Sequence, residues 1–151
     1  MKKFKFSLST VLSYKQQVLD SLQAEHAAAI AELRKQEDWL SQLQQEYKEF
    51  SAEYRQKCSG GMVLREAMGY QVNLRARERE LEEEHKKLEA LHKTEEAKRQ
   101  QVVEAKLDTS SLEKLQEKKL GEYNAAVAKY EEQFIEEFVS SQRIGADRQN
   151  R

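Results

Sequence analysis

The sequence predicts an all-α fold, a long antiparallel hairpin made of two coiled-coil helices. Charged residues make up 35% of the 151-residue chain and proline is absent, which is a composition typical of long helices. Apolar residues recur every seven positions through the first third of the chain, as they do where one helix supercoils around another. A glycine pair, Gly60 and Gly61, separates this segment from a second long helical segment. We expect one coiled-coil domain over residues 1–151.

The first helix is predicted over about residues 4–58. One of its two seven-residue ladders is apolar or aromatic at every position except His26, and the other at every position except Lys15 and Gln36. Such a sustained repeat indicates a narrow seam packed against one partner helix. The ladders are Leu12, Leu19, His26, Leu33, Leu40, Tyr47 and Tyr54, and Leu8, Lys15, Leu22, Ala29, Gln36, Leu43 and Phe50.

A turn is predicted at about residues 59–63, because glycine tolerates positive φ and each glycine lowers helix propensity by roughly 1 kcal/mol. The second helix is predicted over about residues 64–141, followed by a frayed tail over 142–151. It keeps the seven-residue step at Leu74, Leu81, Leu88, Glu95 and Val102.

The middle of the second helix is poor in apolar residues and rich in acid–base pairs four residues apart, such as Glu82 with Lys86 and Glu95 with Arg99. Each pair stabilises an exposed helix by roughly 0.2–0.5 kcal/mol. The hydroxyl-rich run 109–111 predicts either that the second helix breaks and restarts there or, as we favour, a local irregularity within one long helix.

A chain that folds back at the glycine pair places Leu8 opposite the neighbourhood of Gln116, so residues beyond about 120 extend past the first helix. This overhang carries an apolar stripe with steps of three or four residues, which predicts docking to a partner. The stripe is Leu120, Tyr123, Val127, Tyr130, Phe134 and Phe138.

Composition excludes several classes of protein. A net charge of −1 argues against nucleic-acid binding, which needs a basic surface. No apolar run reaches the roughly 18 residues that a membrane span requires, so we expect no direct membrane insertion. The single cysteine, Cys58, cannot form an internal disulfide, which fits a reducing compartment.

No pattern of catalytic residues is present, so we expect neither an enzyme nor a cofactor. His85, Glu89 and His92 share one helix face, but three spaced side chains on a solvated helix are common and no zinc-protease pattern accompanies them, so we expect no metal site. Cys58 is expected to be a plain free thiol. The glycine pair lacks the lysine of a phosphate-binding loop.

Aromatic residues cluster near the turn and have two interpretations. In the first, which we favour, these residues fill the seam beside the turn of the hairpin. In the second, a two-stranded seam cannot bury them fully, so they offer surface to a partner. Both interpretations can hold at once. The cluster is Leu43, Tyr47, Phe50, Tyr54, Tyr70 and Leu74. Trp39 lies beside the ladder at an edge position and is a further contact candidate.

Three segments carry a family resemblance: Phe4, Phe6, Leu8, Val11, Leu12 and Lys15; Leu112, Glu113, Lys114, Leu115, Glu117, Lys118, Lys119 and Tyr123; and the acidic and apolar run 131–138. Together they resemble the FliJ family, a small coiled-coil component of the bacterial flagellar type III export apparatus. The resemblance implies a hairpin similar to the central stalk subunit of rotary ATPases. It also implies insertion into the hexameric export ATPase ring (FliI), contact with the export gate protein (FlhA), handling of export chaperones, and a cytoplasmic place at the membrane through that apparatus.

The same resemblance implies two sets of binding residues. Those facing the ATPase ring would be Leu8, Val11, Leu12, Lys15, Leu115, Lys118, Tyr123, Tyr130, Phe134 and Phe138. Those facing the export gate would be Leu43, Tyr47, Phe50, Tyr54, Tyr70 and Leu74.

Two alternatives stay open at this point. One is the equivalent stalk of a virulence-type secretion ATPase. The other is a generic scaffold that dimerises through the overhang, whereas a stalk would be a monomer that joins a ring. A membrane-surface helix is disfavoured, because Glu131, Glu132, Glu136 and Glu137 would be repelled by anionic lipid.

Overall fold

The computed structural model describes residues 2–150, which form two helices and no strand. Helix α1 spans Ser9–Ser59 and helix α2 spans Leu64–Gln149. They pack against each other as a hairpin, which confirms the predicted fold class. The chain divides into a turn unit, Asp20–Glu104, and a terminal unit, the described residues of Met1–Leu19 and Ala105–Arg151. The expectation of a single domain stays a prediction.

The turn reverses the chain at the glycine pair, as predicted. Gly61 has a φ of 89°, the one positive value found in residues 2–150, so only one of the two glycines needs a left-handed backbone. The Gly60 amide donates to the carbonyl of Gln56 at 3.2 Å and the Gly61 amide to that of Cys58 at 3.3 Å. These bonds satisfy carbonyls that the end of α1 leaves open.

In the turn unit, the predicted ladders of α1 face α2. Leu33, Leu40 and Leu43 are buried, with Leu40 only 4% exposed. Helix α2 contributes two ladders to this seam. One is the predicted ladder at Leu74, Leu81, Leu88 and Glu95, and the other was not predicted from the sequence. The second ladder is Tyr70, Arg77, Glu84, Leu91 and Lys98, all buried or half-buried.

Hydrogen bonds between polar side chains complete this seam. Gln36 donates to Glu84 Oε2 at 2.5 Å and to its carbonyl at 3.2 Å, while Lys87 Nζ donates to Glu84 Oε1 at 2.8 Å. The bond from Lys87, followed by that from Gln36, lowers the pKa of Glu84 below its ordinary value. Because both partners of this buried carboxylate are in place, polar residues are accommodated in the seam.

His26 and Glu95 form a second polar pair, with Nε2 and Oε1 2.9 Å apart. This hydrogen bond is the main cause that lowers the pKa of Glu95. The predicted pair of Glu95 with Arg99 is therefore wrong: Glu95 turns into the seam, and Arg99 pairs with Glu96 at 2.8 Å.

In the terminal unit, residues 2–8 precede the first helix instead of belonging to it, which corrects the predicted start near residue 4. We call residues 2–8 the N-terminal segment. Phe6 is buried, and its carbonyl accepts the amide of Ser9 at 3.1 Å where α1 begins. Burying the Phe6 side chain contributes more stabilising free energy than one further turn of helix would.

Helix α2 runs without a break through residues 109–111, so the predicted local irregularity is wrong. Thr109 is 3% exposed and its hydroxyl donates to the carbonyl of Ala105 at 2.8 Å, while Ser111 donates to Leu107 at 2.9 Å. These bonds satisfy the hydroxyls within the helix. Helix α2 also continues to Gln149, past the predicted end at 141, because its tail lacks proline and holds only one glycine.

Candidate functional site

The first candidate surface is the aromatic cluster of the turn unit. The Tyr70 ring lies between Phe50, at 5.2 Å between centroids, and Tyr54, at 5.4 Å. The Arg77 guanidinium carbon lies 4.6 Å from the Phe50 centroid and Lys57 Nζ lies 5.4 Å from that of Tyr70. Such distances are favourable for both aromatic packing and cation–π contact.

The tyrosine hydroxyls of this cluster are held in place by charged side chains. Tyr47 donates to Glu78 Oε1 at 2.6 Å, and this bond is the main cause that raises the pKa of Tyr47. Lys57 donates to the Tyr70 hydroxyl at 2.8 Å, and this bond is the main cause that raises the pKa of Lys57. The rings are therefore held in fixed positions, which suits a preformed binding surface.

An open groove of about 350 Å³ runs along the cluster. It is lined by Phe50, Glu66, Gly69, Tyr70 and Asn73. Gly69 has no atom within 4 Å of the place where a Cβ would stand, so the missing side chain keeps the groove open. An apolar side chain of a partner would fit beside the two rings.

The predicted gate-facing residues all lie in this cluster, and they differ in how deeply they are buried. Leu43 is buried and belongs to the seam, which confirms the core interpretation for this residue. Tyr47, Phe50, Tyr54, Tyr70 and Leu74 are half-buried, so each both packs and presents an edge to solvent. Their role in gate binding stays a prediction.

Sequence reasoning missed the charged members of this cluster. Arg77 stands one heptad after Tyr70, and that spacing was the available signal for its place in the seam. Its Nε is buried and has no hydrogen-bond partner within residues 2–150. The Arg77 guanidinium stacks on Phe50, and the stem of this side chain is apolar. These two properties explain why an arginine can occupy a position that is usually apolar.

The second candidate surface belongs to the terminal unit. Phe4 of the N-terminal segment packs on Tyr123 with centroids 5.6 Å apart, and the Tyr123 hydroxyl donates to the carbonyl of Lys2 at 2.7 Å. The overhang therefore begins later than residue 120, because the N-terminal segment covers part of the predicted stripe.

The predicted ring-facing residues fall into three groups. Leu12 is buried in the seam, and Lys15, Leu115 and Tyr123 are half-buried, with Lys15 Nζ 3.5 Å from Asp108 Oδ2. The other predicted residues are exposed. They are Leu8, Val11, Lys118, Tyr130, Phe134 and Phe138. Ring binding by any of these residues stays a prediction.

The last part of α2 forms what we call the free arm, residues 128–149. Every residue of it is exposed although the helix is continuous. Phe134 is 62% exposed, and five other large apolar residues of the arm are similarly open. They are Tyr130, Ile135, Phe138, Val139 and Ile144. A helix with this much open apolar surface is typical of a docking element.

The remaining candidate residues lie apart from these surfaces. Within residues 2–150 no group of three His, Cys, Asp or Glu side chains is arranged to hold a metal ion, and His92 Nε2 instead lies 3.7 Å from Glu37 Oε1. Cys58 is exposed, as is Trp39, whose predicted exposure is confirmed. None of the helices described is both long and apolar enough to cross a membrane.

Comparison with known proteins gives a family match. The model of a family described as "Flagellar FliJ protein" matches residues 4–148, nearly the whole chain. No curated protein and no solved structure matches.

Proposed function

Because this chain belongs to the FliJ family of flagellar proteins, we propose that it is a non-catalytic stalk which inserts into the hexameric flagellar export ATPase ring (FliI). Membership makes the chain a component of flagellar protein export. The family match also favours the flagellar system over a virulence-type one.

The proposal rests on the exposed apolar side chains of the free arm. Its apolar side chains are not confined to one face, because Ile135 and Val139 project about 100–140° away from Phe134 at about 100° per residue. A flat partner would cover one face of the helix and leave the others open. The pore of a ring surrounds a helix and would cover all of them.

A stalk of this kind affects ATP hydrolysis without contributing a catalytic group. Ring subunits in different nucleotide states would make different contacts with the apolar and acidic sides of the arm. A protein shifts such an equilibrium only by binding one state better than another. The stalk would therefore stimulate the ATPase by stabilising one arrangement of the ring.

The aromatic cluster is the proposed contact for the export gate protein (FlhA). Its rings are fixed by hydrogen bonds and its groove is open, so a partner would lose little free energy in ordering this surface. Through the ring and the gate the protein would be peripheral at the cytoplasmic face of the membrane, and there it would escort export chaperones.

Insertion is tested by changing the apolar side chains of the free arm. Tyr130→Ser, Phe134→Ser and Phe138→Ser are combined in one variant, and Val103→Ser with Leu107→Ser, equally exposed but outside the arm, serve as the control. We expect the arm variant to lose stimulation of FliI ATPase activity and the control to keep it. Full stimulation by the arm variant would disprove insertion.

Gate binding is tested by filling the groove. A Cβ added at Gly69 meets no atom within 4 Å, and leucine has a higher helix propensity than glycine, so the Gly69→Leu hairpin is expected to fold normally. We expect loss of FlhA binding with ATPase stimulation intact. Gly121→Leu, at a similarly open glycine in α2, is the matched control. Equal FlhA binding by both variants would place the gate contact elsewhere.

A further inference from the structure

Three open grooves follow one another along one side of the turn unit. We call the groove lined by Phe50, Gly69 and Tyr70 the gate groove. Phe50 also lines a second groove of about 250 Å³, together with Arg77 and three glutamates of α1. A third groove of about 590 Å³ begins one helical turn before the second and contains Trp39. The three grooves therefore adjoin one another along α1.

One edge of α1 lines the second and third grooves. Its residues follow one another in alternating steps of three and four, which keeps them on one side of a coiled-coil helix. They are Glu32, Lys35, Trp39, Gln42, Glu46, Glu49 and Glu53, which we call the groove edge. At 1.5 Å per residue the groove edge is about 30 Å long, which is enough to hold a segment of a partner.

The groove edge is acidic. Four of its seven residues are glutamates, Lys35 is its only basic residue, and Asp38 adds a carboxylate to the third groove. Glu53 pairs with Lys57 at 3.2 Å, whereas none of the ion pairs within residues 2–150 includes the other three glutamates. Three further basic residues of this stretch of α1 lie about 100–160° around the helix from the groove edge. They are Arg34, Lys48 and Arg55.

Basic residues of α2 do not cancel this charge. Arg77 stacks on an aromatic ring and faces three glutamates in the second groove, and Lys87 pairs with the buried carboxylate of the seam at 2.8 Å. Arg65 and Arg79 lie about 40° and 80° beyond Gly69, on the far side of the gate groove. The excess of negative charge therefore lies along α1.

Trp39 gives the groove edge an apolar anchor. It is 42% exposed, so part of its ring is open to a partner. Tryptophan is enriched among the residues that dominate binding free energy, and its face attracts cations as well as apolar groups. Because Glu32 and Asp38 line the same groove, a cationic partner fits there better than an anionic one.

We propose that the gate contact extends from the gate groove along the groove edge to Trp39, and that it receives a basic segment of the export gate protein. This extension rests on the proposed function, because it names the chemistry of the partner at that same site. An apolar side chain of the segment fills the gate groove, and its lysines or arginines face the glutamates of the groove edge. An acidic segment would be repelled by those glutamates.

The association kinetics of the full chain with FlhA test this chemistry. Surface plasmon resonance gives both rate constants from about 50 to about 400 mM NaCl, a range over which exposed charges become screened. One variant carries Glu46→Gln and Glu49→Gln. Each of these glutamates accepts a hydrogen bond at 3.2 Å from a glutamine four residues earlier in α1, so the amide replacements are expected to leave the seam in place. The control carries Asp20→Asn and Glu89→Gln, two exposed acids on the opposite side of the hairpin, and has the same net charge.

We expect the Glu46 and Glu49 variant to associate about fivefold more slowly than wild type at low salt, because charges at the rim of an interface act mainly on the association rate. Its rate should also depend less on salt, whereas the control should match wild type in both respects. Trp39→Ala is expected to raise Kd at least about tenfold through faster dissociation. Tyr14→Ala, which changes an exposed aromatic residue of the terminal unit, is expected to leave Kd unchanged. Circular dichroism verifies the helix content of each variant.

Three outcomes would overturn the proposal. FlhA binding that is lost in Gly69→Leu but is insensitive to salt and to both groove-edge variants would disprove the basic segment and leave the gate contact standing. A wild-type chain that does not bind FlhA at all would disprove the gate contact itself, and the extension with it. Self-association of the chain that the Glu46 and Glu49 variant abolishes would assign the groove edge to a second copy.

Discussion

Replacing Gly61 by alanine gives the sharpest test of the turn. Gly61 has a φ of 89°, and a Cβ added to it would meet no atom within 4 Å, so the whole cost lies in the backbone. A left-handed conformation costs an alanine roughly 1–2 kcal/mol. Gly60 provides the control, because its φ is not positive and its Cβ would lie 3.8 Å from the carbonyl oxygens of Gln56 and Lys57, an ordinary contact.

The assay is urea unfolding of both variants, followed by circular dichroism at 222 nm. For a slope of about 2 kcal/mol/M, a loss of 1–2 kcal/mol lowers the midpoint for Gly61→Ala by about 0.5–1 M. Gly60→Ala is expected to leave the midpoint unchanged or to raise it slightly, because alanine restricts the unfolded chain. Equal midpoints for the two variants would refute the assignment of the reversal to Gly61.

Three further predictions concern the seam and the N-terminal segment. The pKa values of Glu84 and Glu95 are lowered in the fold from the ordinary 4.5. The stabilisation that these two carboxylates provide is therefore present above pH 4.5 and is lost as the pH falls through the lowered pKa values. In an acid titration, the free energy of unfolding of a variant with both Glu84→Gln and Glu95→Gln should fall less steeply than that of the wild type. Leu40→Ala should cost about 2–5 kcal/mol, and Leu107→Ala, at an exposed site, less than about 1 kcal/mol, both measured by urea unfolding. Phe4→Ala should speed proteolysis of the N-terminal segment while the helix content measured by circular dichroism stays the same, and unchanged proteolysis would count against its packing.

The first helix shows how far sequence reasoning reaches. Leu33, Leu40 and Leu43 repeat at the coiled-coil spacing, and burial of apolar surface forces such residues into one seam. The second helix shows where it stops. Arg77 and Glu84 also occupy seam positions. From the sequence alone, however, a polar residue in the seam cannot be distinguished from a polar residue on the solvent-exposed face until its partner on the other helix is known.

The candidate surfaces were predictable to different degrees. The aromatic cluster follows from the ladders and the glycine turn, since these set which residues of the two helices meet. The covering of Tyr123 does not follow, because its hydroxyl bonds a carbonyl 121 residues earlier in a segment that looked helical.

The sequence by itself determined the all-α class, the place of the reversal, the seam of α1 and the apolar stripe near the C-terminus. Each of these follows from local chemistry: helix propensity, glycine's freedom and a repeat of 3.5 residues. Only the tertiary structure decided that Glu84 lies in the seam, that Phe6 and Phe4 hold the N-terminal segment outside α1, and that the free arm begins near residue 128. Those features depend on pairs of residues far apart in the chain, whose contact free energies outweigh the local preferences of each segment alone.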